Sequence, residues 1–487
     1  MNESVDAAPA QAAPAGAAAI QRKKEQRVIW LLLGAAFVTM LNETVMGVAI
    51  PHLVTDLGVT LATAQWTTTA FMLTMAVIIP TTGWLLQRFT TRQVFIFAMS
   101  AFTIGTLIGA IAPSFTVLLI ARVIQASGTA LMMPMLMTII MTVVPAQERG
   151  RFMGRISIVM AMAPALGPAL SGFILNVASW HFLFWTILPV AIIMFVVGVR
   201  SLQNIGQKTD SPLDIISLPL SALGFGGILY GITTVGGGGS LNLVGLISLG
   251  AGALSLALFI WRQVTLQKSD RALLDLRAFA SGPFALAVSL VIVMMAAMFG
   301  AIILLPIYLQ NVLQVDSATT GFLLLPAGLI MGLLAPVVGR LFDKYGPRPL
   351  VIPGSIVASA TLWALTRVDE HTSPIIAALG LAGVALGISF MMTPLLTSAL
   401  GGLSPKLYSH GSAIIGTVQQ LAGAIGTALL VTMLAVGTNR AAAAGANAIA
   451  AEGQGVSFAF LIGAVLSLVA VAGSFLVRNP ATAKAAA

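Results

Sequence analysis

A single carboxylate, Glu43, stands well inside an apolar stretch of membrane length near residues 28–50, within Leu41-Asn42-Glu43-Thr44. The other acidic residues read as loop, tail or span-edge positions. A charge at bilayer depth costs about 2.5–3.5 kcal/mol on insertion scales. Such a residue normally faces a cavity or a partner and binds a proton, an ion or a cationic substrate. Arg122 is its counterpart, about seven to nine residues from the outer end of another apolar stretch. Glu43 is expected about seven residues, roughly 11 Å, from the outer end of its own. Burial disfavours a carboxylate's charge and a nearby guanidinium favours it, so the pair can let Glu43 gain and lose a proton as water access changes sides. The competing reading is a static ion pair that only fixes helix packing. Buried pairs stabilise poorly, which favours function.

Further residues fall around these two. Gln125 shares the Arg122 face of its helix, and Gly128 permits close helix contact. Pro164, Gly167, Pro168 and Gly172 weaken the backbone of one stretch and suit a bending gate; a passive kink is the alternative. Asp343, among Arg340, Lys344 and Arg348, is expected to clasp a neighbouring helix and hold the cytoplasmic side closed, or else to stand in a solvated turn. Asn42, Glu43, Gln125, Met133, Phe390, Met391, Gln419 and Gln420 are the candidate substrate contacts. The methionines and Phe390 would supply adaptable apolar surface, although each alone also fits plain core. His181, in Trp180-His181-Phe182, reads as an interfacial anchor.

Composition decides the class. Of 487 residues, 58% are hydrophobic and 8% charged, against about 25% charged in soluble proteins. The chain is therefore expected to be an all-α polytopic membrane protein. Its apolar runs are continuous rather than alternating, which excludes a β-barrel. There is no cysteine, so disulfides and thiol chemistry are excluded. His52, His181, His371 and His410 are far apart at expected loop positions, and no metal site is expected. No Walker-type phosphate loop and no Ser/His/Asp or paired-carboxylate arrangement occurs. These absences argue against an enzyme and against direct drive by ATP. The coupling ion would be the proton, with no other cofactor.

About 20 apolar residues cross a bilayer as a helix. Fourteen such runs lie near 28–50, 63–86, 93–112, 115–137, 155–176, 181–200, 213–234, 242–261, 283–305, 319–341, 349–366, 374–396, 412–436 and 456–477. With a cytoplasmic N-terminus, every Lys and Arg except Arg122, Arg367 and Arg440 falls on the inside, the asymmetry of the positive-inside rule. The net charge of +9 thus orients the protein and needs no nucleic-acid partner. Both termini are expected in the cytoplasm. The first twenty residues are Ala/Pro-rich and expected to be disordered. No apolar segment precedes Arg22-Lys23-Lys24, so the first span would serve as an uncleaved signal.

An internal repeat organises the spans. Pro51 and Pro306 are 255 residues apart; Pro80 with Gly83 and Pro336 with Gly339 repeat at 256. The predicted division is a disordered cytoplasmic tail over 1–27, a six-helix bundle over 28–200, two inserted helices with their loops over 201–282, a second six-helix bundle over 283–477, and a cytoplasmic tail over 478–487. The position opposite Glu43 is about Met298, so the acid occurs in one half only. Repeated bundles of this kind are a transporter architecture.

These motifs together resemble the major facilitator superfamily, in particular its fourteen-span drug:proton antiporters, over roughly residues 28–477. Leu41-Asn42-Glu43-Thr44-Val45 through Ala49-Ile50-Pro51 resembles that branch's first-span motif. Asn42 takes the place of the usual Asp, and Glu43 follows it. Arg122 through Ala130 resembles the fourth-span motif, and Gly167-Pro168 with Gly172 the fifth-span motif of exporters. Leu305-Pro306-Ile307-Tyr308-Leu309-Gln310-Asn311 and the Gly339–Arg348 loop are also family-like. Gln87 stands where the first-half loop motif has Asp. The resemblance implies two pseudo-symmetric six-helix bundles, alternating access and proton-coupled export of amphipathic, often cationic, compounds across the plasma membrane. The alternative is a dedicated exporter of one endogenous metabolite, antibiotic or lipid. A non-transporting scaffold or sensor is disfavoured by the polar residues within the spans. Proton-independent facilitated diffusion is a further rival. Nothing in the sequence demands more than a monomer.

Overall fold

The structure, a computed structural model, describes residues 15–202, 204, 214–236 and 243–478. Fifteen α-helices occur among them: α1 (Ala15–Leu57), α2 (Leu61–Ile78), α3 (Thr82–Arg88), α4 (Thr91–Ala110), α5 (Phe115–Val143), α6 (Arg149–Val177), α7 (His181–Ser201), α8 (Ser217–Gly236), α9 (Leu243–Leu266), α10 (Gly282–Ile307), α11 (Ser317–Tyr345), α12 (Arg348–Leu365), α13 (Pro374–Gly401), α14 (Tyr408–Ala443) and α15 (Ala448–Ser474). A 3₁₀ turn at Ile79–Thr81 joins α2 to α3, because Pro80 has no N–H to continue the α-helical ladder. The two pieces make one span. Among the described residues thirteen helical segments are long and apolar enough to cross a membrane, and α8 adds a shorter apolar run over Ser217–Ile232. Polar caps mark several starts: a Thr90–Gln93 capping box on α4, Asp316 on α11 and Asn447 on α15, each accepting from an otherwise orphaned N–H.

The boundaries differ from the sequence reading mainly where a helix outruns its apolar stretch. Helix α1 begins at Ala15, inside the segment expected to be a disordered tail, because its Ala-rich start and Gln/Lys run are good helix formers. It also continues through Pro51 to Leu57, placing Glu43 about 21 Å from that end rather than about 11 Å. His410 lies within α14 and is buried, not in a loop. Residues 1–14, Lys208, Gly237, Gly238, Gly239 and the final tail beyond Arg478 lie outside the described residues.

Helices α1 to α7 form one bundle and α10 to α15 a second, with the α8–α9 hairpin inserted between them. The packing repeats: α4 lies on α5 as α12 lies on α13, α2 on α5 as α11 on α13, α4 on α7 as α12 on α15, and α1 on α6 as α10 on α14. Helix α8 spans the seam between bundles, packing on both α2 and α14, with Trp66 stacked on Tyr230. Arg262 of α9 forks onto Asp214 at 2.6 and 2.7 Å and holds that carboxyl below the usual carboxylate range. Gln263 donates to Ser217 Oγ and accepts from Leu274 N–H, tying the hairpin to the loop ahead of α10.

The basic loops lie together at one end of the molecule, and there the two bundles touch. Gly339 of α11 lies against Gly150 and Arg151 of α6, and Gly154 against Ala335, so closely that a Cβ at Gly339 would stand 2.3 Å from the Gly150 carbonyl oxygen. Contact continues up to Gly332, opposite Met162. Toward the opposite end it lapses: a Cβ at Gly172 or at Gly321 would meet no other part of the described residues within 4 Å, and Phe173 and Phe322 are 70% and 73% exposed. The bundles form a V, closed at the basic end.

Candidate functional site

Arg122, fully buried on α5, ties three helices of the first bundle together. Its Nε donates to the Thr67 carbonyl of α2 at 3.3 Å. Nη1 donates to the Asn42 carbonyl of α1 at 3.4 Å and to Gln125 Oε1 at 3.0 Å. The guanidinium lies over the Phe71 ring, 4.0 Å from its centroid, which offsets part of the desolvation of the cation. Gln125 in turn donates to Thr106 Oγ1 of α4 at 2.9 Å, and Thr106 to the Phe102 carbonyl. The small residues of this motif admit the network. A Cβ at Gly105 would meet Gln125, and one at Gly128 would stand 2.1 Å from the Ala98 carbonyl oxygen.

Glu43 is half-buried while its neighbour Asn42 is buried. Arg122 is near enough for the two charges to act on each other, and the Gln420 side chain reaches the carboxylate from the second bundle. Among the described residues no ion pair within 4.0 Å joins Glu43 to Arg122. Two buried donors on these helices, Arg122 Nη2 and Asn42 Nδ2, have no hydrogen-bond partner among the described residues. Unsatisfied buried donors are costly. Gln420 Nε2 also lies 3.8 Å from Met75 Sδ, and Gln419 Nε2 is buried without a partner.

The fifth-span motif seats the helix that carries the acid. Thr44, adjacent to Glu43, donates to the Ala163 carbonyl of α6 at 3.3 Å, and a Cβ at Gly167 would stand 2.0 Å from Thr44 Oγ1. Pro168 is exposed and Gly172 has open space beside it, so of the three motif residues Gly167 makes the close helix contact.

Asp343 accepts from the backbone N–H of Gly150 at 2.7 Å and of Arg151 at 2.8 Å. These are orphan donors in the first turn of α6, where a carboxylate is favoured by the helix dipole. The clasp thus joins α11 of one bundle to α6 of the other, at the basic end where Arg348 opens α12. The first-half counterpart is neutral: Gln87 Nε2 donates to the Lys406 carbonyl at 2.9 Å. Replacing Asp343 by Ala removes two charge-assisted hydrogen bonds, each worth about 1.5–3 kcal/mol. Amide hydrogen exchange at Gly150 and Arg151 is expected to quicken and transport to fall several-fold; unchanged exchange there would show that the clasp does not hold the end closed.

On α13 the Phe390 Cβ and the Met391 side chain lie close to Gly354 of the outlying α12, and Met391 lines a small apolar cavity wholly within the second bundle. The crossing of α12 over α13 thus takes up the Met391 side chain. Met133 is half-buried against the core. Among the described residues no cluster suits a metal ion. Sequence reasoning missed Thr67, Phe71 and Thr106 as the partners of Arg122 and Gln125, since ordinary Thr and Phe in apolar spans give no signal. It also missed His410, whose Nδ1 accepts from the buried Asp275 N–H at 3.2 Å and against which Gly83 packs. Arg122→Lys keeps the charge but loses the planar fork that bridges three helices. Efflux per folded protein is expected to fall about tenfold or more, as for a 1.4 kcal/mol loss; native efflux would show that the charge alone suffices.

Two repeated helical bundles meeting around an interior carboxylate define a multi-pass membrane transporter rather than an enzyme. Residues 32–427 match the Major Facilitator Superfamily, and the chain belongs to that family. It is 40% identical to the uncharacterized MFS-type transporter YcnB of Bacillus subtilis (strain 168), over 93% of this chain and 95% of that one. It is 37% identical to the lincomycin resistance protein LmrB of the same organism, over 95% and 98%. A multidrug resistance protein B homolog of Mycobacterium tuberculosis (strain ATCC 25618 / H37Rv) is 30% identical over 82% and 74%. Among solved structures, the proton:xylose symporter XylE has a TM-score of 0.63 at 14% identity, over 93% of this chain and 96% of that one, a likeness of fold.

Proposed function

We propose that this transporter is a proton-coupled exporter of amphipathic, often cationic, compounds across the plasma membrane, working as a monomer by alternating access. The observation that carries the reading is Glu43: a half-buried carboxylate between the bundles, beside Arg122 and within reach of Gln420, at the closed base of a V. The distribution of basic residues supports a cytoplasmic basic end and cytoplasmic termini. The arrangement then corresponds to an outward-open state, in which Glu43 takes a proton from outside. Closure of the outer mouth and parting of the basic end would release that proton inward and admit substrate. Proton and substrate would compete for, or be coupled through, one cavity.

The relatives named for lincomycin and multidrug resistance support the export of drugs. They also keep open a narrower exporter of one compound class, so lincomycin belongs beside ethidium in the first assay. The test is efflux of preloaded ethidium from whole cells, with and without a protonophore. Active efflux that ceases with the protonophore is expected. Efflux that survives it overturns proton coupling, and no efflux of either compound moves the reading to a dedicated metabolite exporter.

A further inference from the structure

Two hydroxyl pairs cross from one bundle to the other between the Asp343 clasp and the Glu43 site. Thr138 of α5 lies 3.2 Å from Ser412 of α14, and Ser157 of α6 lies 2.8 Å from Thr393 of α13. The pairs are related by the internal repeat. Thr393 follows Thr138 by 255 residues and Ser412 follows Ser157 by 255, the offset that relates Pro51 to Pro306. Each pair joins the repeat-equivalents of the same two helices, so the arrangement has the pseudo-twofold symmetry of the bundles. Ser157, Thr393 and Ser412 are buried, which removes water as a competing partner in this state.

Their local bonding makes the contact reversible. Thr138 Oγ1 also reaches the Pro134 carbonyl at 2.7 Å, Ser412 the Tyr408 carbonyl at 2.8 Å, and Ser157 the Met153 carbonyl at 3.3 Å. A Ser or Thr in a helix can return its proton to the carbonyl four residues back. Parting the bundles therefore leaves three of the four hydroxyls, those of Thr138, Ser412 and Ser157, with a carbonyl already in reach, unlike parting a buried ion pair. The contact is directional and weak, and both halves are made or lost together.

We infer that Thr138–Ser412 and Ser157–Thr393 are paired, symmetric latches that bias the transporter toward the state closed at the basic end and so set the rate at which it turns inward. The inference rests on the alternating-access reading above. The chain has no cysteine, so spin labels can be placed on cysteines introduced at Gln147 and Ser404, both exposed and one in a basic-end loop of each bundle. Double electron–electron resonance then reads the share of molecules with that end open. Thr138→Val, Ser412→Ala, Ser157→Ala and Thr393→Val are each expected to raise the open share relative to the closed one about three- to fivefold, the size of one net hydrogen bond. Substituting both members of one latch should add nothing beyond either single change, whereas one change in each latch should multiply. The hydroxyl-retaining Thr138→Ser and Ser157→Thr should keep the native distribution.

An open share unmoved by the four removals, or same-latch doubles that multiply as cross-latch doubles do, overturns the latches. If native protein shows two separations that protons or ethidium shift while the removals do not, the latches fail and alternating access stands. A single separation under every condition overturns both.

Discussion

Glu43→Gln is expected to abolish uphill efflux while leaving the protein folded and in the membrane. Gln keeps the shape and most of the hydrogen-bonding capacity of the carboxyl but cannot change charge, so the proposed coupling of an inward proton to outward substrate would have no carrier. The packing around the position should tolerate the change, because among the described residues Glu43 makes no ion pair within 4.0 Å and its neighbour Thr44 retains its bond to Ala163. Cationic substrates should lose a second contribution: two unit charges about 4 Å apart attract by about 4 kcal/mol at an effective dielectric of 20. Substrate exchange down a gradient should survive for neutral compounds and weaken for cations. The measurement is ethidium efflux with an imposed pH gradient, beside downhill exchange of a neutral dye, both normalised to folded protein. Uphill efflux that persists in the variant and still dies with a protonophore would move the proton site elsewhere. Loss of downhill exchange as well would mean that the residue is needed to assemble the cavity itself.

That position was legible because a carboxylate inside an apolar stretch stands out by cost alone, and Arg122 for the same reason. Asp343 was legible from its place among cations at a helix end. What the sequence leaves open is which way a helix faces. Met391 and Gln420 both stand in apolar helices with no periodic polar face to orient them. One lies under α12 and the other reaches Glu43, a difference set by how whole helices cross. His410 was misplaced because a polar run at a helix start looks like a loop when the helix extends past its apolar part. The span count survived such errors, since apolar length and loop charge are properties of whole segments.

Two glycines separate folding from cycling. A Cβ at Gly128 would stand 2.1 Å from the Ala98 carbonyl oxygen, and one at Gly339 would stand 2.3 Å from that of Gly150; both obstacles are backbone atoms, which cannot swing aside. Gly128 and Ala98 belong to one bundle, whose helices stay packed throughout any rigid-body motion. Gly128→Val therefore forces apart helices that are never meant to separate, and is expected to destabilise the fold by about 1–3 kcal/mol, as overpacking does. Gly339 and Gly150 belong to different bundles, and under the proposed alternating access they should touch only while the basic end is closed. Gly339→Val removes nothing from either bundle's interior, so its melting temperature should stay near native. It should instead deny the closed state and stop transport almost completely, since a cycle that cannot close one end cannot alternate. Thermal unfolding in detergent beside efflux in cells distinguishes the two. If Gly339→Val melted as early as Gly128→Val, the α6–α11 contact would be a permanent part of the fold and the V would not rock at that seam.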